Sequence, residues 1–263
     1  MRATINGVEL AYADHGQGTP VVLVHAFPLS REMWEPQLDA LSPYCRVIAV
    51  DLRGHGESAP VRGKLSLDDF ADDVVGVLDY LKLPRAIFVG LSMGGYTLFA
   101  LHRRHRRRIK ALVLADTRAQ ADTAEGREAR FAMIRTAEEK GQGAIAEIML
   151  PRLVTPHSLQ HRPDLTQRLR AIIERNPVAT IVADLRAMAE RPDSVSLLGE
   201  MEHPTLVIVG ELDQGTPPAD ATTMAEGIRG ARLTIIPNAG HLSNLEAPAA
   251  FNAAVLEFVN GLR

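Results

Sequence analysis

Short apolar runs recur near both ends of the chain, and turn residues bound each of them. Their hydrophobic positions are continuous rather than alternating, which is typical of strands that are covered on both faces. Such strands form mainly parallel sheets with helices on each side, so the pattern predicts an α/β fold. The six predicted strands are residues 21–24, 47–50, 86–89, 111–115, 206–209 and 233–236.

Two further elements are predicted around these strands. Residues 1–10 alternate polar and apolar positions about Asn6-Gly7, a pair that favours a tight turn, and this indicates a β-hairpin. Residues 66–81 carry apolar side chains at helical spacing, and Ser66 is placed to cap the N-terminus of that helix.

The strand rhythm stops after Asp116 and resumes near Thr205. The interval contains helical patterns at residues 128–140, 142–150, 165–174 and 180–189, which are separated by Gly141, Pro151, Pro156, Pro163 and Pro177. We therefore predict an α/β core of residues 1–116 and 200–263, with a helical cap inserted at residues 117–199. By analogy with other folds that carry such insertions, we expect the cap to form a lid over the end of the sheet. The alternative is that these helices only decorate the core and pack away from any functional site.

Composition and charge narrow the function classes. The chain has 263 residues, of which 46% are hydrophobic and 23% charged, as expected for one globular domain with an inserted subdomain. A formal net charge of -3 gives no general attraction to nucleic acid or to an anionic membrane surface. No apolar run reaches the ~18 residues that a membrane span needs. We therefore expect neither nucleic acid nor a membrane as partner, and a homodimer stays open.

The cysteine content and the N-terminus suggest a compartment. Cys45 is the only cysteine, which excludes an internal disulfide and is typical of a reducing environment. The first ten residues lack the apolar core of a signal peptide. The expectation is a cytoplasmic protein.

The most informative motif is Gly90-Leu91-Ser92-Met93-Gly94, which follows a predicted strand and precedes a helical stretch. This arrangement predicts a sharp turn that exposes the Ser92 hydroxyl above the sheet, with glycines on either side supplying room. A nearby helix N-terminus favours developing negative charge there. Ser92 is therefore the candidate nucleophile.

A serine nucleophile needs a base that is oriented by an acid, and both candidates follow predicted strands downstream. Asp213 lies in the loop after residues 206–209, and His241 lies in the turn after residues 233–236. The chain order of serine, aspartate and histidine is the one that a strand-turn-helix hydrolase uses. Asp116 also ends a strand between Ser92 and His241, so it is the rival acid.

The oxyanion of such a reaction needs backbone N–H donors. The strand at residues 21–24 runs into His25-Ala26-Phe27-Pro28. The N–H groups of Phe27 and Met93 are the predicted pair. We interpret His25 and His55 as loop-stabilising histidines and Arg53 as holding a turn, with a carboxylate-binding role for Arg53 as the alternative.

These pieces resemble the α/β-hydrolase family over nearly the whole chain. The resemblance is carried by residues 25–28, Asp51-Leu52-Arg53-Gly54-His55-Gly56-Glu57-Ser58, the turn at Ser92, the Asp213 loop and Gly240-His241. Within the family the chain is similar to the branch of 3-oxoadipate enol-lactonases and small carboxylesterases. That resemblance implies an α/β-hydrolase fold and hydrolysis of an ester or lactone without a metal. Ala26 stands where the family often has glycine, which leaves the substrate range open.

The expected partner is therefore a small-molecule ester or lactone of short to medium acyl chain. No cofactor and no metal are expected, because the chain has neither an H-E-x-x-H motif nor a G-x-G-x-x-G fingerprint. The substrate-binding residues cannot be assigned from the pattern. The alternatives are the enol-lactonase reaction itself, acyl transfer or perhydrolysis from Ser92, and a binding protein of the same fold.

The basic run at residues 102–108 is interpreted as the solvated end of a helix rather than a nucleic-acid patch.

Overall fold

A computed structural model describes residues 1–61 and 63–262 and contains one eight-stranded sheet. Its strands are β1 (Arg2–Ile5), β2 (Val8–His15), β3 (Pro20–Val24), β4 (Arg46–Val50), β5 (Ala86–Leu91), β6 (Ile109–Ala115), β7 (Thr205–Gly210) and β8 (Arg232–Ile236). They lie in the order β1-β2-β4-β3-β5-β6-β7-β8. Strands β1 and β2 pair antiparallel, as do β2 and β4, and all other pairs are parallel.

The predicted hairpin and all six predicted strands are present, which confirms the α/β class. Asn6 and Gly7 take φ angles of 51° and 78°, as a tight hairpin turn requires. The prediction was wrong for β8 in one respect, because Leu233 and Ile235 are 36% and 46% exposed. Strand β8 lies at the sheet edge and pairs only with β7, so helices do not cover both of its faces.

Ten α-helices flank or extend this sheet within the described residues. They are α1 (Glu35–Leu41), α2 (Leu67–Tyr80), α3 (Met93–His105), α4 (Ala124–Leu153), α5 (Pro156–His161), α6 (Pro163–Arg175), α7 (Val178–Ala189), α8 (Pro218–Gly227), α9 (Ser243–Glu246) and α10 (Pro248–Asn260). Helix α2 begins as predicted, since Ser66 and Asp69 form a reciprocal capping box. In the part of the chain described, no helix combines the length and apolar character that crossing a bilayer demands.

Helices α4 to α7, here called the helical insertion, lie between β6 and β7. The predicted break at Gly141 is confirmed, because its φ of 76° and ψ of -172° interrupt α4. The predicted break at Pro151 is wrong, since α4 continues to Leu153; a proline so near a helix end costs a single backbone hydrogen bond. Helix α5 was not predicted, because six residues between two prolines are too few to display a period.

Polar contacts that are mostly buried join the helical insertion to loops of the core. Asp184 on α7 lies 2.8 Å from His55 Nε2, and both side chains are fully buried. Thr180 donates to the Gly54 carbonyl at 3.0 Å, and Asn176 donates to the Pro28 carbonyl at 2.8 Å. These contacts attach the insertion to the loops that follow β3 and β4.

His25 and His55 contact loop backbone as predicted, His55 through Nδ1 and the Arg53 carbonyl at 3.2 Å, whereas Arg53 joins its turn to α2. His25 Nδ1 donates to the Ala26 carbonyl and its Nε2 accepts the Leu52 N–H. Burial, with His55 nearby, holds the pKa of His25 well below its usual value, so the ring is neutral. Arg53 makes two 2.6 Å hydrogen bonds to Asp73 on α2.

The basic run also fits its structural interpretation. Residues 103 and 104 lie in the last turn of α3, where cations complement the helix dipole. Arg104 hydrogen bonds to Asp72 at 2.7 Å and Arg103 contacts Asp68, both on α2. The charges are therefore partly neutralised by the neighbouring helix.

Replacing Ser66 by alanine should lower the free energy of unfolding by about 1 kcal/mol, because α2 loses its side-chain cap. Urea denaturation followed by circular dichroism measures this change. Ser196→Ala is the matched control, since Ser196 is exposed and caps no helix. Equal stability losses in both variants would contradict the prediction.

Candidate active site

Ser92 occupies the turn between β5 and α3 in a strained backbone conformation, with φ 55° and ψ -112°. Non-glycine residues rarely adopt a positive φ, and they keep it only where surrounding contacts over-determine it. Here the Ser92 N–H donates to the Ala115 carbonyl at 3.0 Å, and the Ser92 carbonyl accepts from Thr117 Oγ1 at 2.9 Å. The end of β6 therefore fixes the turn from one side.

The flanking glycines are required by close packing. A Cβ on Gly94 would lie 2.2 Å from the Val24 carbonyl oxygen, and one on Gly90 would lie 2.5 Å from the Gly94 oxygen. Either side chain would push α3 away from the sheet. The sequence prediction that these glycines supply room has this geometric basis.

His241 and Asp213, predicted from separate loops, are in direct contact. His241 Nδ1 lies 2.8 Å from Asp213 Oδ2 and 3.3 Å from Thr216 Oγ1. Because Nδ1 donates to the carboxylate, Nε2 is the nitrogen that can accept a proton. Asp213 also accepts the N–H groups of Gly215 and Thr216, at 2.8 and 3.0 Å, and the Thr216 hydroxyl at 2.7 Å.

This hydrogen bonding sets the charges of the pair. Burial alone would raise the pKa of Asp213, but the charge of His241 and the hydrogen bonds from His241 and Thr216 hold it below its usual range. Burial would lower the pKa of His241, whereas Asp213 and, more weakly, Asp116 raise it above the ordinary value. A histidine with a raised pKa is a stronger proton acceptor.

Asp116, the rival acid, bonds to other groups. It is fully buried, and its carboxyl accepts the Gly210 N–H at 2.8 Å and lies 2.5 Å from Ser243 Oγ. Burial, together with the charge of Asp213, raises the pKa of Asp116 to about 8. The geometry therefore brings Asp213, rather than Asp116, against His241.

Ser92 and His241 line one cavity of about 430 Å³, which lies between the core and the helical insertion. Phe27 lines it too, from the loop after β3. Met93 is the first residue of α3, so its N–H has no acceptor within its own helix. The residues predicted as nucleophile, base and oxyanion donors thus converge on the end of the sheet where the parallel strands finish.

The cavity wall is positively charged, a feature that sequence reasoning missed. Arg118, Arg130 and Arg152 line it, whereas Asp122 is the acidic side chain on the same wall. Asp122 is already paired with Arg130 and lies 2.8 Å from Arg191. Arg118 instead donates to the Gly215 carbonyl at 3.1 Å, and its buried Nε has no hydrogen-bond partner among the described residues.

Of the residues that sequence reasoning missed, Arg118 and Thr216 had a signal in the sequence, whereas Arg130 and Arg152 had none. Arg118 follows β6 by three positions, and ligands of parallel sheets bind beyond the strands' carboxyl ends. An aspartate accepts hydrogen bonds from the backbone of its own loop two residues on, as Asp213 does from Gly215, and Thr216 is the next residue. Neither signal alone points to a substrate.

Comparison with known proteins gives a family match over most of the chain. The family model for the alpha/beta hydrolase fold matches residues 19–248. The chain is 32% identical over 254 residues to 3-oxoadipate enol-lactonase 2 of Acinetobacter baylyi, covering 96% of this chain and 93% of that protein. Residues 19–248, which the family model matches, span the turn at Ser92, the Asp213 loop and His241.

Solved structures agree in fold over the whole length. A thermophilic esterase from Thermogutta terrifontis superposes with a TM-score of 0.95 at 38% identity, covering 100% of this chain and 98% of that one. An enol-lactonase from Burkholderia xenovorans superposes with a TM-score of 0.93 at 32% identity, covering 99% and 100%. The predicted family and fold are confirmed.

The contact between His241 and Asp213 predicts how Ser92 reacts with a fluorophosphonate. The wild-type rate should fall as pH drops through a midpoint above the ordinary histidine value of about 6.5, because protonated His241 cannot accept the serine proton. Asp213→Asn should move that midpoint to lower pH and slow labelling about 10³-fold or more. Stopped-time labelling across pH measures both effects.

Asp116→Asn is the matched variant, since asparagine can still accept from Gly210 and donate to Ser243. We expect its labelling rate to stay within about tenfold of wild type, because it keeps both hydrogen bonds. A near-normal rate for Asp213→Asn beside an abolished rate for Asp116→Asn would reverse the assignment of the acid.

Proposed function

The chain belongs to the alpha/beta hydrolase fold family, and from that membership we propose that it hydrolyses carboxylic esters or lactones through Ser92, His241 and Asp213. The observation that carries the proposal is the placement of a strained serine and an aspartate-bound histidine on one cavity wall. Relatives and solved structures named as esterases and enol-lactonases support the same reaction.

In the proposed mechanism His241 Nε2 takes the proton of Ser92 as Oγ attacks the carbonyl carbon. Asp213 holds the ring through Nδ1 and stabilises the imidazolium that forms. The imidazolium then gives its proton to the leaving oxygen, and the acyl group stays on Ser92. Water activated by His241 attacks this acyl-enzyme and releases the acid.

The tetrahedral oxyanion is stabilised by the N–H groups of Phe27 and Met93. Met93 N–H belongs to the first turn of α3, where the helix dipole favours negative charge. Phe27 brings the second donor from the loop after β3. Donors held by the backbone need no rearrangement during the reaction.

We assign the helical insertion the role of a cap over the cavity. Met133 and Met149 of α4 and Leu185 of α7 line the same cavity as Ser92. These side chains provide an apolar surface for the acyl or alcohol part of a substrate. A cavity of about 430 Å³ suits a substrate with a short or medium acyl chain.

We also propose that the protein acts in the cytoplasm, because its single cysteine is buried and forms no disulfide.

Initial rates on p-nitrophenyl acetate, butyrate and decanoate test this function, with Ser92→Ala beside the wild type. The wild type should prefer the shorter chains, and the variant should lose at least about 10³-fold in kcat because the nucleophile is gone. Added hydrogen peroxide or an alcohol, with products separated, shows whether another acceptor replaces water.

A serine variant as active as the wild type would overturn the proposal. Absence of hydrolysis by the wild type on esters and lactones alike would favour a binding protein of the same fold.

A second candidate is a hydrolase for an ester or lactone that carries a carboxylate. It is favoured by Arg118, whose half-buried guanidinium bonds to a neutral carbonyl and forms no ion pair among the described residues, although the charges of Asp220 and Asp122 act on it. A buried cation is most stable with an anionic partner. The Gly215 carbonyl that Arg118 contacts belongs to the loop of Asp213, so an anion there would lie beside the reacting groups.

Arg118→Gln should raise KM for p-nitrophenyl hemisuccinate, an anionic ester, about tenfold or more, because a charged hydrogen bond is lost. KM for the neutral p-nitrophenyl butyrate should change by less than about threefold. Arg107→Gln is the control, since Arg107 is an exposed arginine remote from the cavity. Equal changes in KM for both esters would show that Arg118 does not distinguish an anionic substrate from a neutral one.

A further inference from the structure

A single carboxylate joins the His241 loop to the helical insertion. Glu246 ends the short helix α9, five residues after His241. Its Oε2 accepts the Gly240 N–H at 2.7 Å, directly before the histidine in the chain. Its Oε1 accepts the Thr155 N–H at 2.9 Å, the Thr155 hydroxyl at 2.7 Å and the Ser158 hydroxyl at 2.5 Å.

The partners of Glu246 are neutral donors from two parts of the chain that are far apart in sequence. Thr155 and Ser158 are buried and form the first turn of α5, where Thr155 is the N-cap. Four charge-assisted hydrogen bonds on one carboxylate fix the Gly240 segment and the start of α5 relative to each other. If the only task were to cap the N-terminus of α5, the Thr155 side chain would be enough and Glu246 would not be needed.

The contact is also tightly packed. A Cβ on Gly240 would lie 2.8 Å from Glu246 Oε2 and 3.2 Å from the Thr155 nitrogen. The Leu242 N–H donates to the Leu153 carbonyl at 2.9 Å, which adds a second link between the same segments. A shift of either segment must therefore be followed by the other.

Both segments reach the cavity. Met149, Pro151 and Arg152 line it directly before Leu153, and His241 lines it directly after Gly240. On the core side the histidine loop is held by Ser243, which contacts Asp116. Glu246 supplies the corresponding contact on the side of the insertion.

We propose that Glu246 is a positioning residue that holds the His241 loop and residues 149–158, three of which line the cavity, at fixed positions relative to each other. It touches no reacting atom and acts through the Gly240 N–H and the start of α5. The inference rests on the proposed function only in giving His241 its catalytic role. The coupling of the two segments stands on the contacts themselves.

Glu246→Gln tests the kinetic consequence, because an amide has the same shape but turns one acceptor into a donor. That donor must face either the Gly240 N–H or the Thr155 N–H, and since only the two hydroxyls can reverse their role, one backbone N–H loses its acceptor. We expect kcat/KM for p-nitrophenyl butyrate, per site titrated with a fluorophosphonate, to fall about tenfold or more.

The pH profile separates misplacement of His241 from a loss of folded enzyme. The charged and titratable groups facing His241 are Asp213, Asp116 and Arg118. Asp213 holds the pKa of His241 above its usual value only while the two side chains stay in contact. The acid limb of kcat/KM should therefore move to lower pH in Glu246→Gln. Glu257→Gln is the matched control, since Glu257 is exposed and pairs with Arg232 on the surface.

Hydrogen exchange followed by mass spectrometry gives a readout that needs no substrate. Ser158→Ala removes one donor on the insertion side and should speed exchange in residues 240–246 as well as 153–158. Glu246→Gln should do the same more strongly. Faster exchange on both sides supports the proposal, whereas a change confined to residues 153–158 overturns it.

The kinetic outcomes are equally decisive. Unchanged kcat/KM per titrated site in Glu246→Gln, or a loss with an unmoved acid limb, overturns the positioning role. If the wild type hydrolyses no ester or lactone, the proposed function fails, while the exchange experiment still decides whether Glu246 couples the two segments.

Discussion

Helix α3 begins so close to the sheet that no side chain fits between them, and the position of Ser92 depends on that approach. The Gly94 Cα lies against the Val24 carbonyl at the end of β3, and the Ser92 N–H bonds to Ala115 at the end of β6. A positive φ in a non-glycine residue costs about 1–3 kcal/mol, which these contacts offset. Because three strand ends meet at this turn, the loops that follow them are held in fixed relation.

The second constraint is electrostatic. Two carboxylates, Asp116 and Asp213, lie near one buried histidine, and burial opposes the ionisation of both. Asp213 receives four hydrogen bonds, from Gly215, Thr216 and His241, which stabilise its charge. The charge of Asp213 then raises the pKa of Asp116 to about 8, so the environment separates an ionised acid from a largely neutral one. An aspartate after β6 can therefore be structural while an aspartate after β7 bonds to His241, the proposed base.

Features that depend on neighbours in sequence were predictable, and features that depend on distant segments were not. The cap at Ser66, the turn at Asn6-Gly7 and the glycines around Ser92 follow from local backbone requirements. Strand order decides that β8 is an exposed edge, and its apolar run alone does not show this. The charged cavity wall arises because the insertion brings Arg130 and Arg152 to the same cavity as Arg118, and a hydrophobic period in the sequence does not reveal such a contact between distant segments.

The helical insertion is attached to the core at the same loops that hold the candidate site. Asn176 bonds beside Phe27 at Pro28, Thr180 bonds to Gly54, and the start of α5 bonds through Glu246 to the residue before His241. A contact of this kind transmits a displacement in either direction, because each loop has little freedom once its hydrogen bonds are made. Substitutions in the insertion that never touch the cavity can therefore displace His241 and the loop of Phe27, the proposed base and oxyanion donor. The shape of the cavity and the relative positions of Ser92, His241 and Phe27 therefore depend on the same hydrogen bonds, so a change in one is expected to change the other.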